Sequence, residues 1–185
     1  MVYKVAIVGH SQVPMQFPNI PGVEVRIFRR PGAKLEAAYD YTEFRNAANW
    51  NHNHTILFIG GNDIGIGPLR QSVDQISTNL IQLCWHFHSS GSTVSLVLIE
   101  PRTFPVRAVH KNYKSQADRI NRKLKRYARH SQAPYHTINL NATPFREGHT
   151  GDGTHFNAAT SQHIIAKMQN AILWQKDLYE ANRQS

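Results

Sequence analysis

Residues 5–13 read VAIVGHSQV, an apolar run that stops at Gly9 and passes at once to His10 and Ser11. A continuous apolar run of this length is the pattern of a parallel strand covered on both faces, where alternate positions have no polar side to meet. Four further strand candidates follow. Residues 55–59 and 94–99 are also continuous, 23–28 alternate, and 135–140 are less regular. Between them runs helical spacing. Leu69, Val73, Ile76, Leu80, Leu83 and Phe87 recur at three- and four-residue steps behind Pro68, with Gly91 placed to end the helix. Tyr113, Ala117, Ile120, Leu124 and Tyr127 form a second stripe, Ile165, Met168, Ile172 and Tyr179 a third, and a further helix is predicted over 34–48. Strands alternating with helices mean right-handed βαβ units, so the expected architecture is a three-layer α/β/α sandwich on a five-stranded parallel sheet. One domain over residues 1–185 is expected, with no repeat or linker to divide it.

Composition excludes several classes. Apolar residues at 41% and charged residues at 18% suit a globular chain and not a disordered one. No apolar run approaches the roughly 20 residues that cross a bilayer, and the first residues read as a strand rather than a signal peptide. Cys84 is the single cysteine, so no internal disulfide forms, and an intracellular setting, cytoplasmic or nuclear, is predicted. Of the formal charge of +9, residues 111–129 hold a local +7, eight basic side chains against Asp118 alone. The anionic-partner candidates on that helix are Arg122, Lys125, Arg126 and Arg129, since cations on one helix face neutralise phosphates without reading sequence.

In an open parallel sheet, sites form where the carboxyl ends of the strands open into loops. Gly9-His10-Ser11, Arg30-Pro31-Gly32 and Gly60-Gly61-Asn62-Asp63 all follow strands directly and should meet on one edge. A serine hydroxyl needs a base within hydrogen-bond reach, usually a histidine held in one tautomer by a carboxylate. GDGTHFN, residues 151–157, places Asp152 three residues before His155 in a tight turn, with Asn157 positioned to cap the next helix. Asn62 can donate its amide to an oxyanion, and the N–H groups of Gly32 and Ser11 can join it. Ser11 alone could equally cap a helix, Asn62 could bridge a turn, and Asp63 reads as a cap near Pro68.

Ser11 in VGHSQ, Gly32 in RPGA, Asn62 in GGND and Asp152/His155 in DGTHFN resemble, in order, the four blocks of the SGNH hydrolases, or GDSL-type esterases. The resemblance spans residues 9–157. It implies a flavodoxin-like sheet and a serine esterase needing no cofactor or metal, with Ser11 as nucleophile, His155 as base oriented by Asp152, and Ser11, Gly32 and Asn62 as the oxyanion hole. SGNH domains with GHS at the first block also resemble the esterase domains of mobile-element proteins, such as LINE-type retrotransposon first open reading frames. Two departures stand out. His10 replaces the usual aspartate, setting a potential cation beside the nucleophile, and the second block is reduced to Pro-Gly-Ala.

The turn after Gly9 is expected to run from strand into helix and lift Ser11 above the sheet. His52/His54 and His86/His88 could be read as metal pairs, but with no strand or carboxylate cluster to support them they read as solvated loop and helix-end histidines. Two functions from different classes follow. One is a serine esterase acting on a small acyl ester, acetyl-type by the resemblance. The other is a catalytically weak SGNH scaffold that binds nucleic acid or another polyanion through its basic helix.

Overall fold

The computed structural model describes residues 1–65 and 71–185. Five strands, β1 (Tyr3–Gly9), β2 (Val23–Arg29), β3 (His54–Phe58), β4 (Thr93–Val97) and β5 (His136–Ile138), form one sheet in the order β2-β1-β3-β4-β5. Every pairing is parallel. This is the flavodoxin-like order, with the switch point between β1 and β3.

Period-two geometry divides each central strand between two cores. Ala6, Val8, Leu57 and Leu96 pack with α1 (Thr42–Asn49), α2 (Val73–Ser89) and α3 (Arg107–Ala128) on one face. Val5, Ile7, Ile56, Phe58 and Val97 pack on the other with Ile164, Met168 and Ile172 of α5 (Ala158–Gln184) and Phe145 of the short α4 (Thr143–Glu147). Both faces of β1 and β3 are therefore buried, which explains their unbroken apolar sequence.

Three local expectations change. No helix follows Ser11. Residues 11–13 form a turn, and the crossover to β2 has none, because Pro14, Pro18 and Pro21 fall where a helix would need donors. The helix predicted over 34–48 breaks into a 3-10 turn, Leu35–Ala37, and α1. Its first amides are claimed elsewhere, Lys34 N–H by the Tyr41 hydroxyl and Leu35 N–H by Asp63. α2 begins at Val73 behind Ser72, whose hydroxyl accepts from Gln75 N–H. Pro68 and Leu69 lie outside the described residues.

Asn157 caps α5 as expected, accepting from Thr160 N–H at 2.9 Å. The histidine pairs divide. His86 and His88 are exposed at the end of α2, but His52 and His54 are buried, and His54 opens β3. His54 Nε2 meets Ser95 Oγ at 2.8 Å and His52 Nε2 meets Thr55 Oγ1 at 2.6 Å. Burial pushes His54 down to about 3, so it serves the interior as a neutral polar link. Among the described residues no group of three His, Cys, Asp or Glu side chains converges as a metal site, and no helix is long and apolar enough to cross a membrane.

Candidate active site

The carboxyl edge of the sheet brings together residues far apart in sequence. Ser11 Oγ lies 3.1 Å from His155 Nε2 across 144 residues. His155 Nδ1 lies 2.6 Å from Asp152 Oδ2. A carboxylate can only accept here, so Nδ1 carries the proton and Nε2 is left as the acceptor for the Ser11 hydroxyl. Asp152 Oδ1 is also filled, by Thr154 N–H (2.8 Å), His155 N–H (2.9 Å) and the Thr150 hydroxyl (2.9 Å). Hydrogen bonds from the His155 side chain and backbone, then from Thr154 and Thr150, hold the Asp152 carboxyl well below the usual range. It stays an anion wherever the imidazole titrates.

The loop carrying this pair is fastened on both sides. Gly153 has φ +69°, and a Cβ there would stand 1.4 Å from Thr103 O, so no other residue fits without moving the loop after β4. Thr103 N–H donates to Gly153 O at 2.7 Å. From the Ser11 side, Gln12 Oε1 accepts from Phe156 N–H at 3.2 Å while its Nε2 donates to Thr154 O. Ser11's neighbour thus clamps the His155 loop at two points. Arg29, at the end of β2, fixes the other side of the turn by donating to Ser11 O (2.9 Å) and Val13 O (3.1 Å).

The three donor candidates lie on loops at this edge. The N–H groups of Ser11 and Gly32 meet no acceptor among the described residues. Asn62 Nδ2 gives one hydrogen to Ala33 O at 3.2 Å, which draws the Gly32 turn beside it and leaves its second N–H. The Gly32 turn is joined to β1 by Arg30 N–H on Gly9 O, 2.8 Å.

Two residues of this edge have partners that the sequence does not show. His10 is fully buried, and its Nδ1 accepts from Gln12 N–H at 3.2 Å, which puts its proton on Nε2, 3.4 Å from Glu100 Oε1. Its ring points beneath the loop, against Phe58. Asp63 reads from the sequence as a cap near Pro68, which lies outside the described residues. Both of its oxygens accept from Leu35 N–H (3.0 and 3.2 Å), tying the second block to the third.

Glu100 and Arg102 escaped the sequence reading. Glu100 Oε1 takes Arg102 Nη2 at 2.6 Å and Nε at 3.0 Å, and Arg102 Nη2 also donates to Asn62 Oδ1 at 3.0 Å. A guanidinium has no acceptor, so this contact sets which way the Asn62 amide faces. Burial works to raise the Glu100 carboxyl, but Arg102 and then His10 hold it below its usual range, as an anion. Gly61 is required by the same pair, since a Cβ there would lie 2.2 Å from Glu100 Oε1. The available signal was position alone. Glu100-Pro101-Arg102 follows a strand just as the other blocks do.

A pH experiment tests the Asp63 link. Burial pushes Asp63 up to about 6, against the Leu35 N–H that favours the anion. A raised carboxyl costs stability as pH rises from about 4 through about 6, by at most about 3 kcal/mol. Asp63→Asn keeps an acceptor for Leu35 and carries no charge. Urea unfolding should show the variant gaining on wild type between pH 4 and pH 7, and a pH-independent difference would refute this role.

The model of the GDSL-like lipase/acylhydrolase family matches residues 9–163. The chain belongs to that family. It is thus a member of a hydrolase family, and its sheet is the SGNH hydrolase fold. Among solved structures it is similar to a lipase/acylhydrolase from Enterococcus faecalis, at 14% identity and TM-score 0.68, over 92% of this chain and 95% of that one. It is similar to a lipolytic G-D-S-L family member from Veillonella parvula, at 16% identity and TM-score 0.70, over 91% and 97%. An acetyl xylan esterase aligns at 16% identity and TM-score 0.62, over 91% and 98%. No curated protein matches the sequence significantly. At such identities the structural likeness speaks for the fold, and the GDSL-like family match for the hydrolase class.

Of the basic candidates, Arg122 and Lys125 line a cavity beside this edge, whereas Arg126 and Arg129 lie outside its lining. None of the four contacts the Ser11, His155 and Asp152 side chains.

Proposed function

We propose that the protein is a serine esterase that hydrolyses short-chain, acetyl-type carboxylic esters. The observation that carries this reading is the unbroken Ser11–His155–Asp152 chain at 3.1 and 2.6 Å. Ser11 Oγ attacks the ester carbonyl as His155 Nε2 takes its proton, and Asp152 stabilises the imidazolium that forms. The carbonyl oxygen becomes an oxyanion facing the free N–H groups of Ser11 and Gly32 and the second N–H of Asn62. Collapse breaks the ester C–O bond, and His155 returns its proton to the leaving alcohol. Water, deprotonated by the same imidazole, then cleaves the acyl-serine and restores the hydroxyl. The acetyl preference draws on the acetyl xylan esterase among the structural neighbours. The test is a fluorophosphonate probe with mapping of the modified residue. Phosphonylation at Ser11 is expected, and an unlabelled Ser11 in folded protein would refute the reading.

A further inference from the structure

α3 forms one wall of a cavity of about 800 Å³ at the β4–β5 side of the sheet's carboxyl edge. Five cations line it, Arg102, Lys114, Arg122, Lys125 and Arg146, against the carboxylates of Asp118 and Glu147. Two of the five are already neutralised, Lys114 by Asp118 at 2.5 Å and Arg102 by buried Glu100. Arg122, Lys125 and Arg146 have no anionic partner among the described residues. Their charges converge from two elements, α3 and α4, with only Glu147 to oppose them. Such a cavity favours an anion, and two guanidinium forks beside an ammonium suit the oxygens of a phosphate.

The cavity also adjoins the catalytic edge. Arg102 lines it and holds Asn62 at 3.0 Å, and Thr103 lines it and bonds the Gly153 loop at 2.7 Å. Its volume is in the range of small-molecule sites and exceeds what a lone inorganic ion needs. We propose that this cavity receives the alcohol part of the ester and that this alcohol carries a phosphate monoester. The proposal rests on the esterase reading above and adds the chemical class of its substrate, a soluble phosphorylated alcohol bearing a short acyl group.

The site can be tested apart from turnover. The Ser11→Ala protein is titrated by calorimetry with phenyl phosphate, with phenol as the neutral control. Phenyl phosphate should bind and phenol should not. Arg122→Gln/Lys125→Gln should weaken phenyl phosphate binding about tenfold or more. Lys111→Gln/Arg119→Gln removes equal charge from exposed positions of α3 outside the cavity and should leave binding unchanged. Absence of binding, or equal loss in both pairs, overturns the proposal. Phosphatidic acid vesicles separate the sources of phosphate. Co-sedimentation that needs Arg122 and Lys125, with phenyl phosphate unbound, would assign the cavity to a lipid headgroup and overturn the soluble form. Wild-type hydrolysis of p-nitrophenyl acetate is scored in parallel. Its presence without phosphate binding sinks the cavity proposal alone, and its absence with phosphate bound sinks the esterase reading instead.

Discussion

Ser11→Ala should abolish hydrolysis of p-nitrophenyl acetate, lowering kcat by on the order of 10³-fold or more, while the protein remains folded. The two halves of this expectation have separate physical grounds. In the proposed mechanism the hydroxyl forms the covalent intermediate, and no other side chain among the described residues hydrogen-bonds His155 Nε2. Residual turnover would come from the oxyanion donors and binding alone. Among the described residues the Ser11 hydroxyl has only His155 as side-chain partner, and it is half-exposed, so stability should stay within about 0.5 kcal/mol of wild type. Steady-state kinetics with thermal unfolding separates the two. Equal activity in wild type and variant would remove Ser11 from the chemistry.

Arg102→Met should produce a different pattern, because Arg102 acts through two neighbours. Losing it leaves the Glu100 carboxylate buried without its strongest partner, a defect that costs about 3–5 kcal/mol of stability. It also frees the Asn62 amide to turn. Loss of one oxyanion donor lowers kcat by about 10²- to 10³-fold, with KM little changed. The double variant Glu100→Gln/Arg102→Met removes the stranded charge and should recover stability without recovering kcat. A purely structural Arg102 would instead recover both together. On an Asn62→Ala background, Arg102→Met should lower kcat little further, since the group it orients is gone. Additive losses in that cycle would show that Arg102 does not work through Asn62.

The sites that carry these predictions were unequally legible. Ser11, Asn62, Asp152 and His155 stand out as candidates because each sits in a short motif directly after a strand or before a helix, where local spacing predicts chemistry. Gln12, Arg29, Glu100 and Arg102 carry no such signature. Gln12 matters because its amide offers one acceptor and one donor to a loop 144 and 142 residues away, a relation absent from the residues around it. The direction of His10 is hidden for the same reason. Its identity suggested a cation at the nucleophile, but the backbone direction at Gly9 sends the ring inward to Phe58 and Glu100.

Local apolar pattern was enough to determine the layers, because burial on both faces removes polar residues from β1 and β3 and a one-sided stripe is what α3 must show. It also determined the order of strands and helices, and hence the edge on which the loops open. Prolines 14, 18 and 21 stand against the helix expected after Ser11, and the structure has none there. Only the tertiary structure decided which loops touch. The distance from Ser11 to His155, the turn of the Asn62 amide under Arg102, and the convergence of Arg122, Lys125 and Arg146 on one cavity all depend on crossovers and packing between segments far apart in the chain. Hydrogen bonds and charges act over a few ångströms of space, and separation along the polypeptide does not report that distance.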